Sequence, residues 1–278
     1  MAKNQKINNF KIFYFFIFLS LSSFCNAQSL SIMTWNTGDS DRSLPKASEI
    51  QALINKNGQN PDILIIQEIF YNNYSSLKKR LDYKHGIHSA QISQNLKNLA
   101  ILSSFELSGH ELIVFSKNIS GALKTEVEMP DKKKLKVYCV HFEYIKNKSR
   151  DNNGYVSLSF KDIIEILAKE VSCENPRKHE AEKLIEKAGK PGQRTIIAGD
   201  FNTVSFSSSV RTIKKFYSDA APIFKRLSSG TYKKISFPIK PRIDYIFHSP
   251  DIKIEAFKII KETPGDHYPV TAKIKVLN

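Results

Sequence analysis

Two segments of this chain are strand-length apolar runs closed by acid or amide side chains. They are Asp62-Ile63-Leu64-Ile65-Ile66-Gln67-Glu68 and Thr195-Ile196-Ile197-Ala198-Gly199-Asp200-Phe201-Asn202. Neither alternates between apolar and polar residues. A continuous apolar run of this kind is typical of a strand buried on both faces, and residues 62–67 read as such a strand. Residues 30–35, 99–102, 111–115, 121–128, 135–141, 243–247, 252–260 and 270–276 read as further strands. Residues 43–56 read as a helix with Ser43 as N-cap, and residues 177–188 as another. Between them, Phe160, Ile163, Ile164, Leu167 and Val171 recur at helical spacing over residues 159–171. Strands interleaved with helices, several in hairpin-like succession, predict an α/β domain with mixed sheets. Two sheets packed together with helices outside suit the count. The 41% hydrophobic and 25% charged content excludes a disordered chain, and three cysteines are too few for a disulfide-built scaffold.

Residues 1–27 stand apart. Lys3, Lys6 and Lys11 precede an apolar stretch over residues 12–24, and Cys25-Asn26-Ala27 ends in a small residue. The stretch is shorter than the ~20 residues of a membrane span and has the layout of an export signal cleaved before Gln28. The bulky Phe24 argues against a lipoprotein reading of Cys25. The expectation is a secreted or periplasmic protein whose mature part, residues 28–278, forms one domain, since no repeat, linker or compositional break interrupts it. Removing the leader takes three lysines and no acids, leaving 39 basic against 27 acidic residues, a net +12. Charge of that size favours polyanionic partners: nucleic acid, an anionic membrane surface or a phosphorylated substrate. Cys139 and Cys173 are the two thiols of the mature chain, and export leaves their pairing open.

The chemistry gathers at strand ends. Asn36 follows Trp35, Glu68 closes the first apolar run, and His141 ends Val137-Tyr138-Cys139-Val140. Asp200 and Asn202 end the second run, Asp244 lies within Arg242-Ile243-Asp244-Tyr245, and Asp266-His267 precede the last strand. Carboxylates and amides are the hard oxygen donors that Mg²⁺ prefers, and imidazoles and carboxylates move protons. Leaving one such group buried without a partner costs about 1–3 kcal/mol, so six strand ends of this kind on one chain point to a shared site.

In that order, the Trp-Asn, Gln-Glu, Gly-Asp-Phe-Asn, Arg-Ile-Asp-Tyr and Asp-His-Tyr-Pro-Val motifs resemble the endonuclease/exonuclease/phosphatase superfamily. This superfamily includes type-I deoxyribonucleases, exonuclease III-like repair enzymes, neutral sphingomyelinases and inositol-polyphosphate phosphatases. The resemblance runs from Ser31 to about Val276. It implies a four-layer sandwich, two packed mixed β-sheets with helices on both outer faces and the site at one sheet edge. It also implies in-line hydrolysis of a phosphate ester by water with Mg²⁺, or with Mn²⁺ or Ca²⁺ in its place. Carried over, Glu68 is the main metal carboxylate, with Asn36 and Asp266 at or around the metal. Asp200 and Asn202 orient and activate the water, His267 pairs with Asp244 beside the scissile phosphate, and His141 binds a non-bridging oxygen. Either Asp200 or His267 serves as the base; an Asp near its ordinary pKa of ~3.9 is a poor one unless its surroundings raise it.

The chain departs from the pattern at Gly265, where the family usually has Ser, and at Val140, where Thr or Ser is common. Residues 143–175 form an extra segment between His141 and Asp200, on the side where the family meets substrate; Tyr155 and Phe160 within it read as packing residues. Basic clusters stand at residues 132–136, 146–150, 214–215, 233–234 and 240–242. Lys146, Lys148 and Arg150, close after His141, are the candidates for phosphate-backbone contact, with Arg177 as a further one; residues 132–136 read as a solvated face. The leading expectation is therefore a secreted, metal-dependent, sequence-nonspecific endonuclease acting on DNA as a monomer without a stable protein partner. A phospholipid or sphingomyelin phosphodiesterase acting on a lipid head group is the alternative enzyme. A non-catalytic basic anion-binding protein is the alternative from another class, and it has no need of a His–Asp pair.

Overall fold

Parallel pairing of β1 (Ser29–Asn36) with β2 (Ile63–Gln67) sets the centre of one sheet, with Asn36 level with Gln67. The computed structural model describes residues 29–38, 45–58, 60–93, 98–116, 120–144, 155–156, 159–172, 175–189, 193–225, 229–236 and 240–277. The leader, Ser43, Lys146, Lys148, Arg150, Cys173 and the side chain of Phe160 lie outside the described residues.

On either side of the central pair, antiparallel strands complete the first sheet. These are β3 (His85–His88), β4 (Leu99–Ser103), β11 (Ile252–Ile259) and β12 (Val270–Val276), in the order β11-β12-β1-β2-β4-β3. The second sheet repeats this plan around the parallel pair β7 (Lys134–His141) and β8 (Thr195–Asp200). Its other strands are β5 (Leu107–Ser116), β6 (Ser120–Glu128), β9 (Ser218–Asp219) and β10 (Asp244–His248), in the order β5-β6-β7-β8-β10-β9. The helices are α1 (Ala47–Lys56), α2 (Tyr71–Arg80), α3 (Phe160–Val171), α4 (Pro176–Ala188) and α5 (Ser208–Lys214). Among the described residues no helix is long and apolar enough to cross a membrane.

Period-two geometry divides each central strand between two cores. Ile32, Ile63, Ile65, Val137, Cys139, Ile196, Ala198 and Ile246 face inward and fill the space between the sheets. Met33, Trp35, Leu64 and Ile66 face outward against Ile50, Leu53, Ile54 and Leu77 of α1 and α2. Tyr138, Ile197, Tyr245 and Phe247 face outward against Ala181 and Leu184 of α4 and Val210 and Ile213 of α5. Each fully buried Ile or Leu contributes about 1.5–3 kcal/mol, which is why the unalternating runs settle in the centre. The result is two packed mixed sheets with helices on both outer faces, the architecture expected from the sequence.

Two local readings change. The first helix begins at Ala47, where Glu49 caps it by accepting the Lys46 N–H at 2.7 Å, so the expected Ser43 cap is not the start of the helix. Helix α2 was not expected at all. Its sequence, Tyr71-Asn72-Asn73-Tyr74-Ser75-Ser76-Leu77-Lys78-Lys79-Arg80, buries only Tyr74 and Leu77, too few for a visible apolar stripe. The short β3, β9 and α5 are likewise additions to the sequence reading. Lys132, Lys133 and Lys134 are exposed at a hairpin end, where Lys132 pairs with Glu128 at 2.7 Å and Lys134 with Glu126 at 2.8 Å, while Leu135 is buried in the core.

Candidate active site

The inward-facing register that builds the core also builds the site. Continuing the inner-face positions to the strand ends gives Asn36 on β1, His141 on β7 and Asp200 on β8. Pairing places His141 level with Asp200, and Asp200 level with Asp244 on β10. These polar groups therefore lie where the inter-sheet core runs out. Glu68 follows β2 directly with φ of 57°, a left-handed turn that costs a non-glycine residue some strain.

Asn36 is the hub between the sheets. Its Nδ2 donates to Glu68 Oε1 and to Asp200 Oδ2, both at 3.0 Å, and its Oδ1 accepts the Gly38 N–H at 2.9 Å. The His141 Nε2 lies 3.5 Å from Glu68 Oε1 and 3.8 Å from Asp200 Oδ2. The His267 Nδ1 sits 2.9 Å from Asp244 Oδ2, and its Nε2 points between Asp200 Oδ2 at 3.8 Å and Asp266 Oδ1 at 3.9 Å. Two contacts hold this histidine: the chain's single Trp, Trp35, donates its indole N–H to the His267 carbonyl at 3.2 Å, and the Tyr232 ring meets the imidazole edge-on. Thr231 Oγ1 accepts the N–H groups of both Ile243 and Asp244, fixing the start of β10. Asn202, also left-handed with φ of 49°, turns its N–H onto Asp200 Oδ1 at 2.8 Å and its side-chain amide onto the Phe142 carbonyl at 2.9 Å.

Burial sets the electrostatics. Asp200 is fully enclosed, and desolvation lifts its pKa to about 6, against the lowering effect of the His267 and His141 charges; nearby Asp244 adds to the rise. For His267, burial alone would favour the neutral ring. The charges of Asp244, Asp200 and Asp266 and the hydrogen bond to Asp244 outweigh it and hold the imidazolium well above the ordinary histidine value. Here, then, a carboxylate that takes up protons near neutrality stands beside a fixed cation.

Two donor sets could meet a divalent cation. Asp200, Asp244 and His267 bring ligand atoms within 4.8 Å of one another. In that trio Nδ1 of His267 lies 2.9 Å from Asp244 Oδ2, and the surrounding carboxylates favour the charged ring. In the second set Glu68 is open, while Asn36 and Asp266 are buried. The Glu68 side chain is 42% exposed, and a Cβ at Gly38 would lie 2.0 Å from its Oε2, so this glycine leaves the carboxylate its space. Glu68, with Asn36 Oδ1 and the Asp266 carboxylate on the neighbouring loop, offers the oxygen donors that a hard cation takes. The residues fit such an ion.

Both departures from the family pattern have a structural account. A Cβ at position 265 would lie 2.8 Å from the Gly38 carbonyl, so glycine keeps the two loops in contact. Val140 faces the outer core rather than the site.

Arg177 does not stand where a phosphate contact was expected. It is buried, pairs with Glu170, and donates from Nη1 to the Asn202 carbonyl at 2.6 Å. Arg242 likewise forms a buried two-pronged pair with Asp219. Sequence reading also overlooked the exposed aromatics of the site loops: Phe70 and Tyr71 after Glu68, Tyr144 after His141, and Phe206 after Asn202. Their position directly after the motif residues was the available signal.

The family model described as Endonuclease/Exonuclease/phosphatase family matches residues 33–267. The fold is similar to that of the endonuclease/exonuclease/phosphatase from Bacteroides vulgatus, at 16% identity, covering 90% of this chain and 99% of that one with a TM-score of 0.65. It is also similar to D. rerio TDP2 complexed with single strand DNA product, at 17% identity, covering 90% and 100% with a TM-score of 0.65. The mannosyl-6-phosphatase Bt3783 of Bacteroides thetaiotaomicron aligns at 16% identity over 88% of this chain and 99% of its own, with a TM-score of 0.63. No curated protein sequence matches the chain.

Proposed function

Since this chain belongs to the endonuclease/exonuclease/phosphatase family and is a hydrolase of the phosphoesterase class, we propose that it is an exported, Mg²⁺-dependent nuclease that cuts DNA without reading its sequence. The observation that carries the nucleic-acid reading is the set of aromatics around the site. Phe70 is 53% exposed and Tyr144 51%, and Tyr71 and Phe206 are open as well. Phe70 lies two residues past Glu68 and Tyr144 three past His141, so chain reach alone keeps their backbones within roughly 7–11 Å of those groups. Bases stack on such rings without regard to sequence, and a net charge of +12 on residues 28–278 draws a phosphate backbone. The TDP2 relative with its single strand DNA product supports the same reading.

In this proposal Glu68, Asn36 and Asp266 hold the cation, which supplies Lewis-acid charge at the phosphate when bound. Asp200, with its pKa near 6, accepts the proton of the attacking water, and Asn202 keeps it oriented. His141 and the His267 imidazolium neutralise the oxygens on which charge grows, and Asp244 keeps that imidazolium charged. Export by residues 1–27 and a monomeric state complete the proposal.

One observation favours the lipid alternative. Ile223 and Phe224 are 78% and 71% exposed on the segment that follows β9, an apolar pair of the kind that enters a bilayer. The deciding experiment gives purified residues 28–278 supercoiled plasmid, RNA and sphingomyelin vesicles in parallel, with Mg²⁺ or with chelator, and uses His267→Ala as the blank. Metal-dependent nicking of plasmid is expected. Cleavage of vesicles with plasmid intact would transfer the protein to the lipid phosphodiesterases. No turnover on any of the three would overturn the nuclease reading in favour of small phosphorylated substrates or a binding protein.

A further inference from the structure

Helix α4 opens with two buried charged side chains one turn apart, Arg177 and Glu180, a spacing that puts both on one face. Each grips a different loop of the site. Arg177 donates from Nη1 to the Asn202 carbonyl at 2.6 Å and from Nη2 to Glu170. Glu170, near the end of α3, also accepts the Thr203 hydroxyl and, at 3.5 Å, the Asn175 amide. Glu180 accepts the Glu143 N–H at 3.1 Å and the Ser120 hydroxyl. Asn202 and Glu143 lie two residues beyond Asp200 and His141 respectively. The helix therefore holds both catalytic-edge loops of the second sheet from behind.

We propose that the first turn of α4, together with Glu170, is a brace that fixes His141 relative to Asp200, and that Arg177, Glu180 and Glu170 are positioning residues for phosphate-ester hydrolysis. The geometry gives the reason. Asn202 holds a left-handed backbone while its N–H donates to Asp200 Oδ1 and its side-chain amide to the Phe142 carbonyl. Asparagine visits this region but is not confined to it, so a cation anchored on its carbonyl is what makes the turn single-valued. Burial raises the pKa of both Glu170 and Glu180 against the lowering effect of their hydrogen bonds. The extra segment between β7 and α4 supplies Glu170, so it is tied into the site through α3 and does more than lengthen a loop.

This inference rests on the phosphoesterase reading, and its test separates the two. Arg177→Lys keeps a positive charge for Glu170 but cannot reach the Asn202 carbonyl at the same time. Hydrolysis of bis(p-nitrophenyl) phosphate is expected to lose roughly 10- to 100-fold in kcat with KM little changed, since small misplacements near the reacting groups cost that much. Amide exchange at Asn202 should speed up while exchange at Ile197, inside β8, does not. Glu180→Gln, which still accepts the Glu143 N–H, should retain kcat, whereas Glu180→Leu should lose it. Wild-type kcat and wild-type exchange in Arg177→Lys would overturn the brace, as would a loss carried by KM and unfolding midpoint together. If the single variant does not fold, the paired Glu170→Leu/Arg177→Leu replacement, which leaves no unpaired charge, replaces it under the same criteria. If the wild-type protein leaves both this probe and plasmid intact, the functional reading fails, and Asn202 exchange alone then decides the brace.

Discussion

The two halves of this molecule share a plan and differ in how they treat charge. Each sheet is built on one central parallel pair flanked by antiparallel strands, and each carries helices on its outer face. The first sheet delivers Asn36 and a half-open Glu68 to the common edge. The second delivers Asp200 and Asp244, each 1% exposed, with His141 on the far side of Asp200. Exposure leaves Glu68 available to a cation from solution. Burial lifts the pKa of Asp200, while the surrounding carboxylates hold His267 charged against the opposing effect of its own burial. One architecture thus sets a half-open carboxylate beside a buried cluster of titratable groups, with the Asn36 amide bridging Glu68 and Asp200.

The sharpest way to break this comparison is to remove one member from each side. Glu68→Ala and His267→Ala should both reduce hydrolysis by at least about 10²- to 10⁴-fold, the usual worth of a positioned acid–base group. They should part company in a calorimetric titration with Mn²⁺, where Glu68→Ala loses the binding heat and His267→Ala retains it. Equal loss in both would mean that the two sides are not separate.

A second test addresses why the buried side tolerates so little change. Gly199 has φ of 148°, and a Cβ there would lie 1.9 Å from the Val140 carbonyl on the neighbouring strand. Gly199→Ala should lower the stability by about 3 kcal/mol or more, read as a fall in the denaturant midpoint. A midpoint within error of wild type would show that the β7–β8 pair is less rigid than its register implies.

The smallest expected effect concerns pH. Asp200 and His267 both bind protons more tightly when folded than when unfolded, so both shifts act in one direction. Asp200 contributes stability below its ordinary value of 3.8 and loses it as pH rises through about 6. His267 contributes below its ordinary value of 6.5 and loses it as pH rises through its higher folded value. In chelator, unfolding stability should therefore fall as pH climbs from 4 past neutrality on account of these groups. Asp244→Asn removes the chief countercharge of His267, so its ring resonance should titrate at lower pH and the upper part of that slope should flatten. An unchanged histidine titration would remove Asp244 from its assigned role.

Much of the frame was legible in the chain because it depends on local periodicity. An unalternating run such as residues 62–67 or 195–198 has to be covered on both faces, and period two then decides that Asn36, His141 and Asp200 point the same way as the inner core. The motif residues at those ends could be named without coordinates. Helix α2 was not legible, because two buried side chains in ten leave no stripe to read. Arg177 was misread for a different reason: its partners, Glu170 and the Asn202 carbonyl, lie 7 and 25 residues away, and only the folding back of α3 and the β8 loop shows that its charge is already satisfied.

Sequence by itself thus determined the strands, their inward faces and the identity of the groups at their ends, since these follow from side-chain volume and a repeat of two. Tertiary structure alone decided which of those groups is dry and which is wet. That difference is a property of distance and dielectric between segments far apart in the chain. It is what raises the pKa of Asp200 to about 6, leaves the Glu68 carboxylate half open, and turns Arg177 from a surface charge into a buried anchor.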